Sequence, residues 1–186
     1  MANVDRPRGF TPVKYTSGAP WRGECRAITP KDGVDIYIGD ALTLDTGTAD
    51  KAATNDAAFL GVCVGVGKKD PMTGWVCTGI NPGNLNEIWY DDSDHTNTDF
   101  VIFYVPVQDM IFEVQSAVDL SASVVGSTAD ITGTSGNAAG RSNMEITTSS
   151  NTDVEIVEIP QGPGNDPTLV NASYYVQFIT QAFTQE

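Results

Sequence analysis

Residues 59–78 read Phe59-Leu-Gly-Val-Cys-Val-Gly-Val-Gly-Lys-Lys-Asp-Pro-Met-Thr-Gly-Trp-Val-Cys-Thr78. A β-branched apolar run, a polar Lys-Lys-Asp-Pro-Met-Thr-Gly tip and a second short apolar run predict a β-hairpin. The glycines superficially suggest a phosphate loop. That motif needs a glycine where Val62 stands and Ser or Thr where Lys69 stands, so Gly61 and Gly65 are read as bulges or close backbone packing.

The same grammar extends in both directions. Candidate strands are 34–38, 41–44, 87–90, 100–107, 111–115, 144–146, 154–159 and 173–183, separated by Gly, Pro, Asn and Asp. Val154-Glu-Ile-Val-Glu-Ile159 alternates apolar with acidic residues, as a strand with one wet face does. Pro106, lacking an N–H, belongs at a strand end, an edge or a bulge. Residues 117–140, rich in Ser, Thr, Gly and Ala, read as a long surface excursion with one short helix near 121–125. Helical periodicity is nearly absent, which predicts an all-β protein. It is expected to consist of an extended arm (1–31), a barrel-like core (32–90) and a second antiparallel β region packing on or completing that core (91–186).

Charge divides the chain differently. The protein carries 10 basic and 24 acidic residues among 186, a net charge of −14. Residues 1–31 hold six basic residues (Arg6, Arg8, Lys14, Arg22, Arg26, Lys31) against Asp5 and Glu24, a balance of +4, so the other 155 residues carry −18. Such a body is repelled by phosphate, which argues against nucleic acid and anionic membranes as partners. No apolar run is long enough to span a bilayer, and no export signal opens the chain, so Asn171-Ala-Ser173 is read as a chance glycosylation match.

No constellation for catalysis or metal binding emerges. Three cysteines (Cys25, Cys63, Cys77) lack C-x-x-C spacing, and Cys63 and Cys77 sit in apolar runs as small hydrophobes. The single histidine, His95, lies in Asp91-Asp-Ser-Asp-His-Thr-Asn-Thr-Asp99 with no nucleophile elbow elsewhere to partner it. As a calcium loop that stretch has Thr96 where glycine is needed and Ile102 where a bidentate carboxylate is needed. No cofactor is expected. A carbohydrate-binding or hydrolytic sandwich, suggested by Trp21, Trp75, Trp89 and many carboxylates, is a competing reading without an assignable acid pair.

The arm raises its own question. Pro7, Gly9, Pro12, Gly18 and Pro20 forbid continuous helix, while Phe10, Val13, Tyr15 and Trp21 are apolar anchors. A segment laid across another subunit would use the anchors in pockets and the basic groups on carboxylates. The contact residues are then Arg6, Arg8, Phe10, Lys14, Tyr15, Trp21 and Arg22, and removal of residues 1–20 would leave a folded body. An arm wrapping its own barrel is the alternative.

Ile38-Gly-Asp-Ala-Leu-Thr-Leu44 followed by Phe59-Leu-Gly-Val-Cys-Val64 resembles the β-tulip core of lambda-like head decoration proteins. Arg6-Pro-Arg-Gly-Phe-Thr-Pro-Val13 with Gly18-Ala-Pro20 is similar to the opening of tailed-phage capsid-stabilising proteins. The resemblance continues through Met110-Ile-Phe-Glu-Val-Gln115, Ser127-Thr-Ala-Asp130 and Gly140-Arg-Ser-Asn-Met-Glu145. It implies a non-enzymatic cement protein, made in the host cytoplasm and resident on the virion exterior. Such a protein binds the major capsid protein, commonly as a homotrimer, through its arm. The resemblance does not fix the role of the chain from about Glu87 onward. A head fibre or tail component is the alternative within the same class.

Overall fold

The computed structural model describes residues 3–56, 58–69, 72, 76–78, 89–91, 97–120, 125–133, 135–137, 140–148 and 152–182, with backbone alone for 76–78 and 89. In chain order the strands are β1 (Thr11–Tyr15), β2 (Arg26–Ile28), β3 (Ile36–Tyr37), β4 (Ala41–Asp45), β5 (Thr48–Lys51), β6 (Phe59–Lys69) and β7 (Val76–Thr78). They continue as β8 (Trp89–Tyr90), β9 (Phe100–Pro106), β10 (Met110–Gln115), β11 (Thr128–Thr132), β12 (Glu145–Thr148), β13 (Val154–Glu158) and β14 (Ser173–Phe178). One 3-10 turn, Asn97–Asp99, precedes β9. The all-β expectation is met.

One antiparallel sheet has the order β1-β10-β14-β13-β11-β12, and a second has the order β2-β9-β6-β4-β5 with β7 paired to β6. The first sheet alternates along β14 and along the second half of β10. Phe112, Val114, Val154, Ile156, Tyr174, Val176 and Phe178 point inward, whereas Glu113, Gln115, Glu155 and Tyr175 lie on the wet face. Its inner face shares one buried cluster with Ala41, Phe59, Val62 and Val105 of the second sheet. Phe178 is the hub of that cluster, with ring centroids 5.0 Å from Phe10, 4.9 Å from Phe59 and 5.5 Å from Phe112.

β6 serves two cores. Its pairing slips once against β4 beside Leu60 and once against β9 beside Val64, and each bulge flips the side-chain phase. Phe59, Val62 and Val64 thereby face the inter-sheet core, while Leu60, Cys63 and Val66 face a second cluster with Leu42, Ala49, Phe100, Ile102 and Tyr104. Gly61 is required here, since a Cβ would lie 2.5 Å from the Val105 carbonyl oxygen. Ile36 and Tyr90, on the paired strands β3 and β8, also pack into this second core.

The first 31 residues correct the arm expectation. β1 is an edge strand of the first sheet and β2 an edge strand of the second. Residues immediately after β2 reach the opposite edge, where the Ala49 amide donates to the Thr29 carbonyl (2.9 Å) and the Lys31 amide to the Ala49 carbonyl (2.7 Å). Residues 26–31 thus touch both ends of the second sheet and close it into a barrel-like ring around the second core. Edge strands left open expose unpaired amides and carbonyls, so the ladder itself holds this segment in place. Lys31 pairs with Asp45 (2.8 Å) and Asp50 (2.5 Å) at the far end. We call residues 3–31 the strap.

The expected boundaries shift with it. The division at 90/91 runs between strands of one sheet, because β9 lies between β2 and β6. The expected excursion 117–140 contains β11, with Ala129 and Ile131 in the core, although the short helix expected at 121–125 falls largely outside the described residues. The turn expected at Asp45-Thr-Gly47 is present, with positive φ at Thr46 and Gly47 (47° and 88°), but β5 after it was not foreseen, because Thr48-Ala-Asp-Lys51 has only one apolar residue and no alternation.

The strap crosses the barrel at one corner. The Phe10 amide donates to the Gly39 carbonyl at 2.8 Å, and a Cβ on either Gly9 or Gly39 would collide with the other segment's backbone. Next to this crossing Asp40 is fully buried; its Oδ2 accepts from the Tyr37 amide (2.8 Å) and its Oδ1 has no hydrogen-bond partner. Burial raises the Asp40 carboxyl to about 6, opposed by Ser142, the Tyr37 amide and Lys51.

Phe10→Ala should cost about 3–5 kcal/mol in urea unfolding, the range for emptying a buried aromatic site. A loss under 1 kcal/mol would remove Phe10 from the core. Since the folded state holds the Asp40 proton more tightly than the unfolded chain, this group's stabilisation is full below the unfolded value of 3.8 and is lost as pH rises through about 6. Asp40→Asn should therefore gain on the wild type by roughly 1–3 kcal/mol between pH 4 and pH 8. Parallel pH profiles would contradict this assignment.

Candidate interaction surface

The strap and the wet face beside it carry the contact residues expected from the sequence, but the structure divides them into two groups. Phe10 is 1% exposed and cannot anchor a partner. Tyr15 and Trp21 are half-buried against the same core, and the Trp21 ring nitrogen donates to the Glu24 carbonyl at 2.9 Å. Lys14 pairs with Glu158 (2.6 Å) and lies 5.3 Å from the centre of the Tyr175 ring, and Arg8 pairs with Glu113 (3.1 Å). The carboxylates expected on another subunit are the chain's own.

Arg6 and Arg22 are exposed and, among the described residues, form no ion pair; the same holds for Arg26, which the sequence reading did not single out. These three guanidinium groups line the outside of the strap.

Two clefts flank it. A cleft of about 340 Å³ is lined by Val4, Arg6, Arg8, Glu113 and Gln115, and another of about 400 Å³ by Tyr15, Glu24, Cys25, Arg26 and Asp109. In the second, Glu24 is held below the usual carboxylate range by its own amide, the Arg22 amide and the Tyr15 hydroxyl. Tyr15 is pushed up by burial and by the Glu24 charge. Glu24 is therefore ionised and Tyr15 neutral near neutral pH, and the cleft is lined by two carboxylates, Glu24 and Asp109, and one guanidinium, Arg26.

The start of the strap is fixed by two amide side chains that sequence reasoning missed. Gln115 accepts from the Arg6 amide (3.1 Å) and donates to the carbonyls of Val4 (2.7 Å) and Asn171 (2.9 Å). Asn3 donates to the Asp166 carbonyl (2.8 Å) and accepts from the Asp166 amide (2.8 Å). Position 115 on the wet face was legible from the alternation of β10. Its partner was not, since nothing local ties Gln115 to a residue 109 positions away.

The remaining chemical candidates add no site. Cys63 is buried and its thiol is pushed up by burial, whereas Cys25 is exposed. His95, Trp75 and the Trp89 side chain lie outside the described residues, and so do positions 92–96 of the acidic loop tested for calcium. Among the described residues no group of three or more His, Cys, Asp or Glu side chains could hold a metal ion, and no helix is long and apolar enough to cross a membrane. No protein-family model, curated protein or solved structure matches the chain.

Gln115→Ala removes two hydrogen bonds from the strap's start, to Val4 and Arg6, and a third to Asn171. Trypsin should then cut Arg8–Gly9 several-fold faster, with a global loss of only about 1–2 kcal/mol. An unchanged cleavage rate would show that Gln115 does not hold residues 3–6.

Proposed function

We propose that this chain is a structural protein of a phage particle that binds the outer surface of the capsid and cements neighbouring major capsid protein subunits. The observation carrying the reading is that three exposed arginines of the strap, Arg6, Arg22 and Arg26, form no ion pair among the described residues although the body is strongly acidic. The resemblance of the motif order to capsid-stabilising proteins supports it. A cement protein works through modest contacts repeated by symmetry, and a homotrimer on symmetry axes would multiply them.

The mode of contact differs from a free arm. The strap is laid on its own body, so in this reading it presents a preorganised basic ridge to an acidic surface, with less ordering entropy lost on docking. The acidic remainder faces outward and keeps neighbouring particles apart.

Electron cryomicroscopy of particles from the source should find hundreds of copies on the shell with the strap toward capsid subunits. A dozen or fewer copies would move the protein to a head-fibre or tail role, and absence from the particle would end the virion reading. Arg6→Glu, Arg22→Glu and Arg26→Glu combined should leave folding intact and reduce loading at least tenfold, with wild-type loading weakening as salt rises. Undiminished loading of the triple variant would exclude the basic ridge as the contact.

A further inference from the structure

β1 and the residues that follow it form a small unit with one exit. The Gly18 amide donates to the Tyr15 carbonyl, the Tyr15 amide to the Ala19 carbonyl and the Trp21 amide to the Val13 carbonyl, so residues 11–21 are a hairpin docked on β10 by one edge. Upstream, Asn3 is bound to Asp166 in the loop before β14, the Arg6 amide to Gln115 of the same sheet and the Phe10 amide to the corner at Gly39. β2 belongs instead to the other sheet. The link between them, residues 22–25, is exposed and is tied to the unit through Glu24, whose carbonyl accepts from the Trp21 ring nitrogen; Gly23 has φ of 98° with open space around it.

We infer that residues 3–21 exchange as a unit between copies of this chain, pivoting at residues 22–25, so that one copy's β1 completes a neighbour's first sheet. The contacts that dock the unit on the body are available in identical form on the neighbour: the β10 edge, the ring of Phe178, Glu113 for Arg8, Glu158 for Lys14 and Gln115 for the Arg6 amide; those of Tyr15 and Trp21 with Glu24 stay within the unit and its own link. Closed and exchanged forms therefore differ mainly in the strain of a four-residue hinge and in local concentration. Short hinges invite exchange. The intramolecular partner has an effective concentration on the order of millimolar, a level that copies held side by side on a surface also reach. The exchange deepens the cementing reading, which would gain covalent continuity between neighbours, but its test needs no particle and the two can fail separately.

Thr11 and Glu113 are directly paired across β1 and β10, a geometry suited to an engineered disulfide. Thr11→Cys with Glu113→Cys, in a Cys25→Ser background, is incubated reduced from about 10 μM to about 1 mM, with mild urea to speed opening, and then oxidised. The expected result is disulfide-linked dimers and larger species increasing with concentration. Peptide mapping should find position 11 of one copy linked to position 113 of another, and the amount of these species should fall several-fold on inserting Gly-Ser-Gly after Gly23. An exclusively intramolecular disulfide at every concentration would overturn the exchange. If the double variant does not fold, isotope-labelled and unlabelled wild type are co-incubated at about 1 mM and examined by native mass spectrometry. Mixed dimers support the exchange, and monomers alone refute it.

Discussion

Two sheets in this protein are incomplete without the same short segment, and that shared dependence organises everything else. Phe10 places its ring on Phe178 while its amide bonds the Gly39 carbonyl, so one residue enters the inter-sheet core and locks the barrel corner. Downstream of it the chain supplies an edge strand to each sheet, β1 and then β2, and spans the barrel's open ends at Ala49. The aromatic anchors of the strap, Phe10, Tyr15 and Trp21, are thereby committed to the chain's own core, Phe10 wholly and the other two in part.

This explains which parts of the fold were legible in the sequence. Strands with one wet face announce themselves by alternation, as in Val154 to Glu158, and the bulges of β6 were signalled by Gly61 and Gly65 in a β-branched run. The destination of the strap was not. Pro7, Gly9 and Pro12 establish that it cannot be helical, but the sequence of an extended segment with apolar anchors is the same whether the pockets belong to a neighbour or to Phe178 and Phe112. Charge was misleading for a similar reason. Arg8 and Lys14 find their carboxylates in cis, at Glu113 and Glu158, which lie more than 100 residues away in sequence. Small-residue composition hid β11, since Thr-Ala-Asp-Ile-Thr reads as loop until Ala129 and Ile131 are seen to be buried.

The candidate site inherits its rigidity from the same arrangement. Exposed ion pairs such as Arg8–Glu113 contribute only about 0–1 kcal/mol each, so they orient the strap more than they hold it. Holding is the work of the ladder, Phe10 and the Asn3 and Gln115 clamps. Arg6, Arg22 and Arg26 are the strap's arginines without an ion pair among the described residues. Asp40, next to the strap crossing, places a carboxyl with an unpartnered oxygen inside this joint and couples its stability to pH.

Native-state hydrogen exchange across the strap tests the central claim most directly. If residues 3–31 are part of the cooperative fold, the amides of Phe10, Tyr15, Trp21 and Lys31 should exchange with free energies near those of β6 and β10. Rapid exchange of these four, with β6 and β10 still protected, would show instead an arm that rests on a body complete without it.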